Sequence, residues 1–406
     1  MHGQELASEQ EAVLSEILAI VRERRIDALV HAGDVFDSAN PPASALKLYY
    51  SFLARLVQTG CGVAIITGGN HDSPAALNAP KSLLEAINIR VVGGATEDIH
   101  DEIIPIRNAA GETLGYCAAA PFLRDKDLRY SVPGETESER SRRIVEGIRL
   151  HYERLAQAAA EQMKRDNNEG LPLFATGHLF AQGGVTGDAD AKERIHVGNL
   201  GQIGADAFPD AFSYVALGHL HRPQIVGKRE HIRYAGSPVA LDFSERDDAK
   251  QILLAEWRDG ASTPLIESLS LQSPRRLARF SGTDEEIEQA LHSFDAGVRP
   301  LATFAEICLV PGGNGVFSRT NADEYFRALA SKLHGDKLLV LRVKLERKRE
   351  ISAFAAAEET RLEELTPEVV FEERLKRENI ADEKKNELRQ TYAELVSLIR
   401  ESEETV

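Results

Sequence analysis

The chain has 406 residues, which is enough for two or three domains, and 43% of them are hydrophobic, which is enough for ordinary cores. Its formal net charge of −16 argues against a broadly basic surface for nucleic acid, although bound divalent ions and local arginine and lysine clusters can offset an acidic field. No apolar run approaches membrane-spanning length and the N-terminus has no signal-peptide pattern, so we expect a cytoplasmic protein with no membrane partner.

The first part of the chain alternates predicted helices with predicted buried strands. One amphipathic helix is predicted over residues 5–24, with Ser8 as its N-cap, and a second over about 43–58. Continuous apolar runs predict strands at residues 26–31, 62–67, 89–94, 114–120, 171–177, 213–218, 232–236 and 252–257. A long charged helix is predicted over residues 137–166. This alternation is typical of an α/β fold.

The pattern changes after about residue 270. Residues 271–345 have a β-α-β-α-β pattern, which predicts a small separate α/β unit. Residues 346–406 are charged and predominantly helical. The last predicted helix carries an apolar stripe, formed by Leu388, Tyr392, Leu395 and Ile399. Because the stripe lies on a charged tail, it favours docking on a partner over packing on the body of the protein.

Four short segments each place an Asp, Asn or His at the end of an apolar run. They are HAGDVFD with Asp34, TGGNHD with Asn70, His71 and Asp72, FATGHL with His178, and ALGHLHR with His219 and His221. Carboxylate, amide and imidazole groups bind divalent metals, and strand ends can aim such groups at one point. One such residue alone carries little weight. Four segments in this order predict a metal site, and the mixed donors suit Mn²⁺, Fe²⁺ or Zn²⁺ better than Ca²⁺.

The residue types indicate a role for each side chain. The carboxylate of Asp34 can bridge two ions, and Asn70 and the three histidines offer an amide oxygen and imidazole nitrogens. Two metal ions can activate water and clamp the oxygens of a phosphoester. We expect His71 to protonate the leaving oxygen or to stabilise the transition state, and Asp72 to orient His71 through a hydrogen bond.

These residues fall on the motifs of the calcineurin-like metallophosphoesterases, which the chain resembles. Further segments are similar to the SbcD family, the nuclease subunits of bacterial SbcCD complexes: GDVFDSANPP, GGNHDS, PFLR at 121–124, ATGHLF, ALGHLHRPQ and YAGSPVALDFSE. The similarity spans nearly the whole chain. It implies a four-layer α/β metallophosphoesterase sandwich at residues 1–270, a capping domain at 271–345 that shapes access of DNA, and a helical tail at 346–406 that binds an SbcC-type, SMC-like ATPase.

The resemblance also implies a manganese-dependent exonuclease and endonuclease that acts on double-stranded DNA ends and hairpins in repair, recombination and replication. The complex would hold two copies of each subunit, so the chain would form a homodimer within it. One ion would be held by Asp34, Asn70, His178 and His219. The other ion would share Asp34 and take His221, and His71 would be the transition-state histidine.

The chain departs from the family pattern at its N-terminus. In the family the first strand ends in Asp-x-His, which supplies two ligands to the ion at His221, and no such segment precedes Asp34. His2 lies too close to the first helix to replace it. Either Met1 is not the start of the complete protein, which the intact later motifs favour, or the protein keeps a single-metal site for binding or assembly. In both cases we expect weak binding of the ion at His221 and weak nuclease activity.

Two other functions stay open. A different metallophosphoesterase, acting on nucleotides, would use the same site, but a small substrate would need neither the cap nor the tail. A catalytically weakened assembly subunit, which holds DNA and an ATPase without cutting, is compatible with the missing Asp-x-His. Arg222 and Gln224 follow the last motif and are candidate contacts for a phosphate, whereas Ser237 has the context of a turn residue.

Overall fold

The computed structural model describes residues 1, 3–108, 110–128, 135–181, 203–258, 261–310 and 319–345, together with 371, 375, 384–386, 388, 389, 391 and 392. The chain divides into two compact units, Met1–Glu346 and Arg347–Val406. Within the described ranges, no helix combines the length and the apolar character needed to cross a bilayer.

Helices and strands alternate along the first unit. The helices are α1 (Ala7–Glu23), α2 (Ala43–Val57), α3 (Pro74–Asn78), α4 (Lys81–Glu85), α5 (Asp125–Leu128), α6 (Glu137–Arg165), α7 (Asp284–Ser293) and α8 (Arg319–His334). The strands are β1 (Ala28–Ala32), β2 (Val63–Thr67), β3 (Ile89–Val92), β4 (Ile103–Arg107), β5 (Thr113–Ala118), β6 (Leu173–His178), β7 (Tyr214–Gly218), β8 (Gln224–Val226), β9 (Arg229–Tyr234), β10 (Gln251–Glu256), β11 (Leu265–Ser270), β12 (Leu277–Gly282), β13 (Thr303–Leu309) and β14 (Leu338–Leu345).

Two sheets packed face to face form the centre of the first unit. One is parallel with the order β1-β2-β3, and the other is mixed with the order β4-β5-β6-β7-β9-β8. Along β2 the side chains alternate between two cores, because neighbouring residues of a strand point to opposite faces. Val63 and Ile65 face the second sheet, while Ala64 and Ile66 face α1 and α2.

The outer faces of both sheets are covered by helices. Helices α1 and α2 pack on the three-stranded sheet, and α6 packs on the six-stranded sheet through residues such as Ile144, Tyr152 and Leu155. Helix α6 begins with a capping box in which the side chains of Thr136 and Glu139 bond each other's main-chain N–H. The resulting order of helices, sheet, sheet and helix is the four-layer α/β sandwich expected from the resemblance.

Some elements differ from the sequence-based expectation. Strand β4 is not expected from the sequence, since Pro105 cannot donate to a ladder. It is tolerated because β4 lies at the edge of its sheet. The predicted N-cap at Ser8 is wrong: α1 begins at Ala7, and Leu6 precedes it without a side-chain cap. The carbonyl oxygen of Leu6 accepts the first helical bond, from the N–H of Gln10 at 2.9 Å.

Strands β10 and β11 form an antiparallel pair, and residues 277–345 contain a separate three-stranded sheet in the predicted β-α-β-α-β order. Its strands β12, β13 and β14 are parallel, and α7 and α8 pack on one face of the sheet. On the opposite face, register pairs Arg279 with Glu306 and Glu306 with Arg342. The division into domains and the capping role of this segment stay predictions.

The second unit is described at only a few positions. The rings of Phe371 and Tyr392 stack with their centroids 4.0 Å apart, and Leu375 is buried. Of the predicted apolar stripe, Leu388 and Tyr392 are in helical conformation, whereas Leu395 and Ile399 lie outside the described residues. Docking of residues 346–406 on a partner therefore stays a prediction.

Candidate metal centre

The turn after β1 brings Asp34 against the second sheet. Gly33 and Asp34 have φ values of +87° and +53°, in the left-handed region that glycine and aspartate tolerate better than most residues. A Cβ atom on Gly33 would lie 2.2 Å from Nδ1 of His178, so a side chain there would separate the two strands. Glycine is therefore required for the close approach of β1 to β6.

Asp34, Asn70, His178 and His219 meet at the carboxyl ends of β1, β2, β6 and β7. The Oδ2 atom of Asp34 lies 3.0 Å from Nε2 of His178. The Oδ1 atom of Asn70 lies 2.9 Å from the same nitrogen and 3.1 Å from Nδ1 of His219. Ligand atoms of Asp34, His178 and His219 all lie within 4.8 Å of one another. The sequence predicted this convergence from the positions of the strand ends.

The donor set of this cluster suits a cation. The Nδ1 atom of His178 lies 2.8 Å from the main-chain oxygen of Ala32, so in the neutral ring Nδ1 carries the proton and Nε2 carries a lone pair. That lone pair faces the oxygens of Asp34 and Asn70. Electron-pair donors that converge in this way repel one another unless a proton or a metal ion lies between them. Carboxylate, amide and imidazole donors fit Mn²⁺, Fe²⁺ or Zn²⁺.

Electrostatics keep Asp34 ionised. Burial alone would raise the pKa of this carboxyl group, but in the metal-free site the charge and hydrogen bond of a His178 ring that carries a proton on Nε2, and the main-chain N–H of His71, lower the pKa to about 2. The N–H of His71 donates to Oδ1 of Asp34 at 3.0 Å. Asp34 can therefore act as a carboxylate ligand at any physiological pH.

The contacts of Asp72 differ from the predicted hydrogen bond to His71. Its carboxylate accepts hydrogen bonds from the main-chain N–H groups of Val35, Phe36 and Gly69 at 3.0, 3.0 and 2.8 Å. The side chain is buried, and these bonds fix the turns that carry Asp34 and Asn70. The role of Asp72 is corrected accordingly, because a buried carboxylate satisfies the main-chain donors that surround it.

His71 lies beside the cluster and is partly buried. Its Nδ1 atom lies 2.9 Å from the main-chain oxygen of Asp37, and its own main-chain N–H bonds Asp34. The turn after β1 therefore orients this ring, a function that the sequence assigns to Asp72.

His221 is held by two residues to which the sequence analysis assigns no role in the centre, Glu245 and Lys250. Its Nδ1 atom lies 3.0 Å from Oε1 of Glu245, and Oε2 of Glu245 accepts from Nζ of Lys250 at 2.5 Å. Burial would raise the pKa of Glu245, but the hydrogen bond from His221 and the charge of Lys250 lower it. His221 does not belong to the cluster of described residues within 4.8 Å. Glu245 ends the segment YAGSPVALDFSE, which indicates the family but no ligand, and Lys250 follows in the charged run ERDDAK.

The remaining sequence candidates have other partners. The guanidinium of Arg222 donates to Asp248 at 2.9 Å and to the main-chain oxygen of Ser244 at 3.1 Å, and its contact with a phosphate stays a prediction. The amide of Gln224 donates to the main-chain oxygen of Arg222 at 3.2 Å. Ser237 donates to the main-chain oxygen of Val239 at 2.9 Å, as a turn residue does. His2 lies outside the described residues.

Comparison with known proteins identifies relatives over most of the chain. Residues 1–254 match the family described as calcineurin-like phosphoesterase. The SbcD subunit of nuclease SbcCD from Escherichia coli (strain K12) is 31% identical over 392 residues, which cover 95% of this chain and 92% of that protein. The protein of the same name from Bacillus subtilis (strain 168) is 34% identical over 286 residues, 70% of this chain and 69% of its own length. That from Rhodobacter capsulatus is 35% identical over 269 residues, 64% of each chain.

One solved structure of a different enzyme aligns only weakly with the chain. A family 1 b-glucosidase from Thermotoga maritima aligns over 84% of this chain and 78% of its own, at 10% identity and a TM-score of 0.19. A similarity of that size carries no argument.

Proposed function

The chain belongs to the calcineurin-like phosphoesterase family and to the SbcD family of nuclease subunits, and we propose that it is a metal-dependent nuclease that hydrolyses phosphodiester bonds of DNA. The observation that carries the proposal is the convergence of Asp34, Asn70, His178 and His219 at the ends of four strands. The relatives named as subunits of nuclease SbcCD support DNA as the substrate.

Two groups of residues would hold the ions, for which we propose Mn²⁺. Asp34, Asn70, His178 and His219 would hold the first ion. The second would share Asp34 and take His221, and in the described part of the chain it would have fewer ligands than the first, so we expect it to bind more weakly. Bound ions would stabilise the charge that develops on the phosphodiester oxygens and lower the pKa of water.

The side chains around the ions would then act on the substrate. His71 would donate a proton to the leaving oxygen or stabilise charge in the transition state, and its ring is already oriented by the main-chain oxygen of Asp37. Asp72 would act only through the turns that it holds in place. The partly buried position of His71 beside Asp34 supports this role, because the donor must lie next to the scissile bond.

The sheet formed by β12, β13 and β14 offers a surface for the DNA backbone. Glu306 is fully buried at the centre of its open face and is surrounded by three cations, Arg279, Arg342 and Lys344. These four residues together carry a net charge of +2, in a chain whose net charge is −16. We propose that it contacts phosphates when the enzyme acts as exonuclease or endonuclease on duplex ends and hairpins.

Assembly with an SbcC-type ATPase and with a second copy of the chain is part of the same proposal. Residues 346–406 would bind the ATPase, and two copies of each subunit would form the complex in the cytoplasm. Apolar side chains exposed on α2, on α4 and just after α4 support contact with a second copy: Tyr50 (41% exposed), Val57 (43%), Leu83 (71%) and Ile87 (41%). Exposed apolar residues of this size often mark protein interfaces.

The test compares metal binding and DNA cleavage in one preparation. The chain, with an SbcC-type ATPase and ATP, is incubated with Mn²⁺ and a linear duplex that ends in a hairpin, and bound manganese is measured by elemental analysis. We expect the wild type to cleave the DNA. The variant His219→Asn should lose both the first ion and the cleavage. Cleavage of a small phosphodiester but not of DNA would instead indicate a nucleotide phosphodiesterase. Manganese binding without any hydrolysis would indicate an assembly subunit.

A further inference from the structure

We propose that Glu245, supported by Lys250, is a positioning residue that fixes the tautomer and the orientation of the His221 ring. The inference rests on the proposed function, since it takes His221 as a metal ligand. It adds Glu245, the last residue of the segment YAGSPVALDFSE, and Lys250, neither of which belongs to the four segments that carry the predicted ligands.

The contacts of Glu245 use both of its carboxylate oxygens. Oε1 lies 3.0 Å from Nδ1 of His221. Oε2 accepts from Nζ of Lys250 at 2.5 Å, from Oγ of Ser237 at 3.3 Å and from the N–H of Leu241 at 3.3 Å. Nζ of Lys250 also donates to Oγ of Ser237 at 2.8 Å. Glu245 therefore has a single position available to it.

Glu245 and Lys250 are buried, so each charge depends on the other for its stabilisation. Glu245 and Lys250 are only 2% and 5% exposed, so neither charge can be satisfied by bulk water. Removing either partner would leave an uncompensated buried charge, which is strongly unfavourable. The ion pair thus keeps Glu245 in its ionised form, as a group that accepts hydrogen bonds and has no proton to donate.

An ionised carboxylate determines which nitrogen of His221 carries the proton. A neutral imidazole has one N–H, and hydrogen bonding to Glu245 places it on Nδ1. The lone pair then lies on Nε2, which becomes the nitrogen able to bind a metal ion. Partners of this kind, which orient a metal-binding histidine, typically contribute about 10-fold to 100-fold to metal affinity.

The loop that carries Glu245 has internal hydrogen bonds of its own. Glu245 ends a short 3₁₀ helix, Phe243–Glu245, and the side chain of Asp242 caps the N–H of Ser244 in this helix. The Oδ1 atom of Asp242 accepts from the N–H of Ser244 at 2.9 Å. A carboxylate held by its own loop can orient the ring of His221 before any metal ion binds.

The chain offers a matched control in a second buried pair of the same kind. Oε2 of Glu102 lies 2.9 Å from Nε2 of His151, and the two residues are 0% and 9% exposed. This pair joins a turn before β4 to helix α6 and includes no residue of the candidate metal centre. Glu102→Gln therefore changes the same chemistry at a position without a metal-binding role.

The experiment compares Glu245→Gln with Glu102→Gln in the full chain. Glutamine keeps the shape of the side chain but has both a donor and an acceptor, so it no longer dictates the tautomer. The protein is labelled with ¹⁵N-histidine, and two-bond ¹H–¹⁵N correlations report the tautomer of each of its 12 histidines without metal. The His221 signals are assigned with His221→Asn, and Mn²⁺ binding is measured by titration calorimetry.

We expect the wild type to show the Nδ1–H tautomer at His221. Glu245→Gln should show a mixture of His221 tautomers. It should also bind one ion, the ion that His221→Asn fails to bind, roughly 10-fold to 100-fold more weakly than the wild type does. Glu102→Gln should change neither the tautomer of His221 nor the manganese affinity. A single Nδ1–H tautomer together with wild-type affinity in Glu245→Gln would overturn the proposal.

Two further measurements separate the sources of failure. If Glu245→Gln does not fold, the double variant Glu245→Gln/Lys250→Met, which removes both buried charges, replaces it. The tautomer of His221 and the manganese affinity of the double variant then decide the proposal. If His221→Asn binds manganese as the wild type does, the metal-binding role of His221 in the proposed function is wrong. The tautomer of metal-free His221 still tests the positioning by Glu245 independently.

Discussion

The Nδ1 atom of His178 lies 2.8 Å from the main-chain oxygen of Ala32, a residue 146 positions earlier in the chain. This hydrogen bond connects the end of β6, in the six-stranded sheet, with the end of β1, in the three-stranded sheet. It places the proton of the neutral ring on Nδ1 and directs Nε2 toward Asp34 and Asn70. Packing of the two sheets therefore determines the chemistry of the histidine.

We predict that Gly218→Ala disrupts this relationship. A Cβ atom at residue 218 would lie 1.8 Å from the main-chain oxygen of Ala32 and 2.9 Å from Nδ1 of His178, so β7 would have to move away from β1. We expect a loss of about 1–3 kcal/mol in the free energy of unfolding, and weaker Mn²⁺ binding. Urea denaturation and calorimetry measure the two effects.

Gly170→Ala is the matched control for this variant, because nothing lies within 4 Å of its Cβ position. It should leave both quantities unchanged. Wild-type manganese affinity in Gly218→Ala would show that the close approach of β7 and β1 has no role in the centre.

We predict that Asp34→Asn changes the pH dependence of stability in the metal-free protein. The pKa of Asp34 is lowered from 3.8 to about 2 in the folded state, so its ionised form stabilises the fold above about pH 4. That contribution, about 2 kcal/mol, is lost as the pH falls through the folded-state pKa. The wild type should therefore exceed Asp34→Asn in stability by more at pH 5 than at about pH 2.

Urea denaturation with a chelator present measures this difference. An equal difference between wild type and Asp34→Asn at both pH values would contradict the ionised, stabilised state of Asp34.

We predict that His71→Gln separates catalysis from metal binding. Glutamine cannot transfer a proton, and general acid catalysis typically contributes about 100-fold to 10,000-fold to a rate. The cleavage rate should fall by that amount, while manganese stoichiometry stays at the wild-type value. His292→Gln, on the exposed surface of α7, is the control and should cleave normally. Loss of the ions from His71→Gln would instead make His71 a ligand.

We predict that Arg342→Gln and Lys344→Gln weaken DNA binding without changing manganese binding. Each cation that contacts a phosphate contributes about one unit to the slope of log affinity against log salt concentration. Each substitution should reduce the magnitude of that slope by about one. The affinities are measured by fluorescence anisotropy, with EDTA present so that the DNA stays intact. Arg229→Gln on β9 is the control. An unchanged slope in both variants would show that this face of the sheet does not contact DNA phosphates.

The sequence predicted which polar residues at the strand ends lie together in the candidate centre. Buried strands have continuous apolar runs, and polar residues directly after them mark the strand ends, so Asp34, Asn70, His178 and His219 can be found without a structure. Strand β4 escapes this reasoning because Pro105 argues against a strand unless its place at the sheet edge is known.

Interactions between distant residues could not be predicted in the same way. The sequence pairs the carboxylate of Asp72 with the adjacent His71, whereas it accepts from Val35 and Phe36, which lie 37 and 36 residues earlier. The pair of Glu245 with His221 likewise depends on how a loop folds back on the strand end. Sequence position identifies the groups, and the tertiary fold determines their partners.

The division of the first cluster between two sheets has a consequence for folding. Asp34 and Asn70 belong to the three-stranded sheet, and His178 and His219 to the six-stranded sheet, so neither sheet alone can provide the full set of donors. An ion bound by all four acts as a cross-link that resists sliding of the sheets. Because it binds only the assembled sandwich, the melting temperature should rise with manganese concentration, which makes thermal denaturation a direct gauge of whether the two halves have come together.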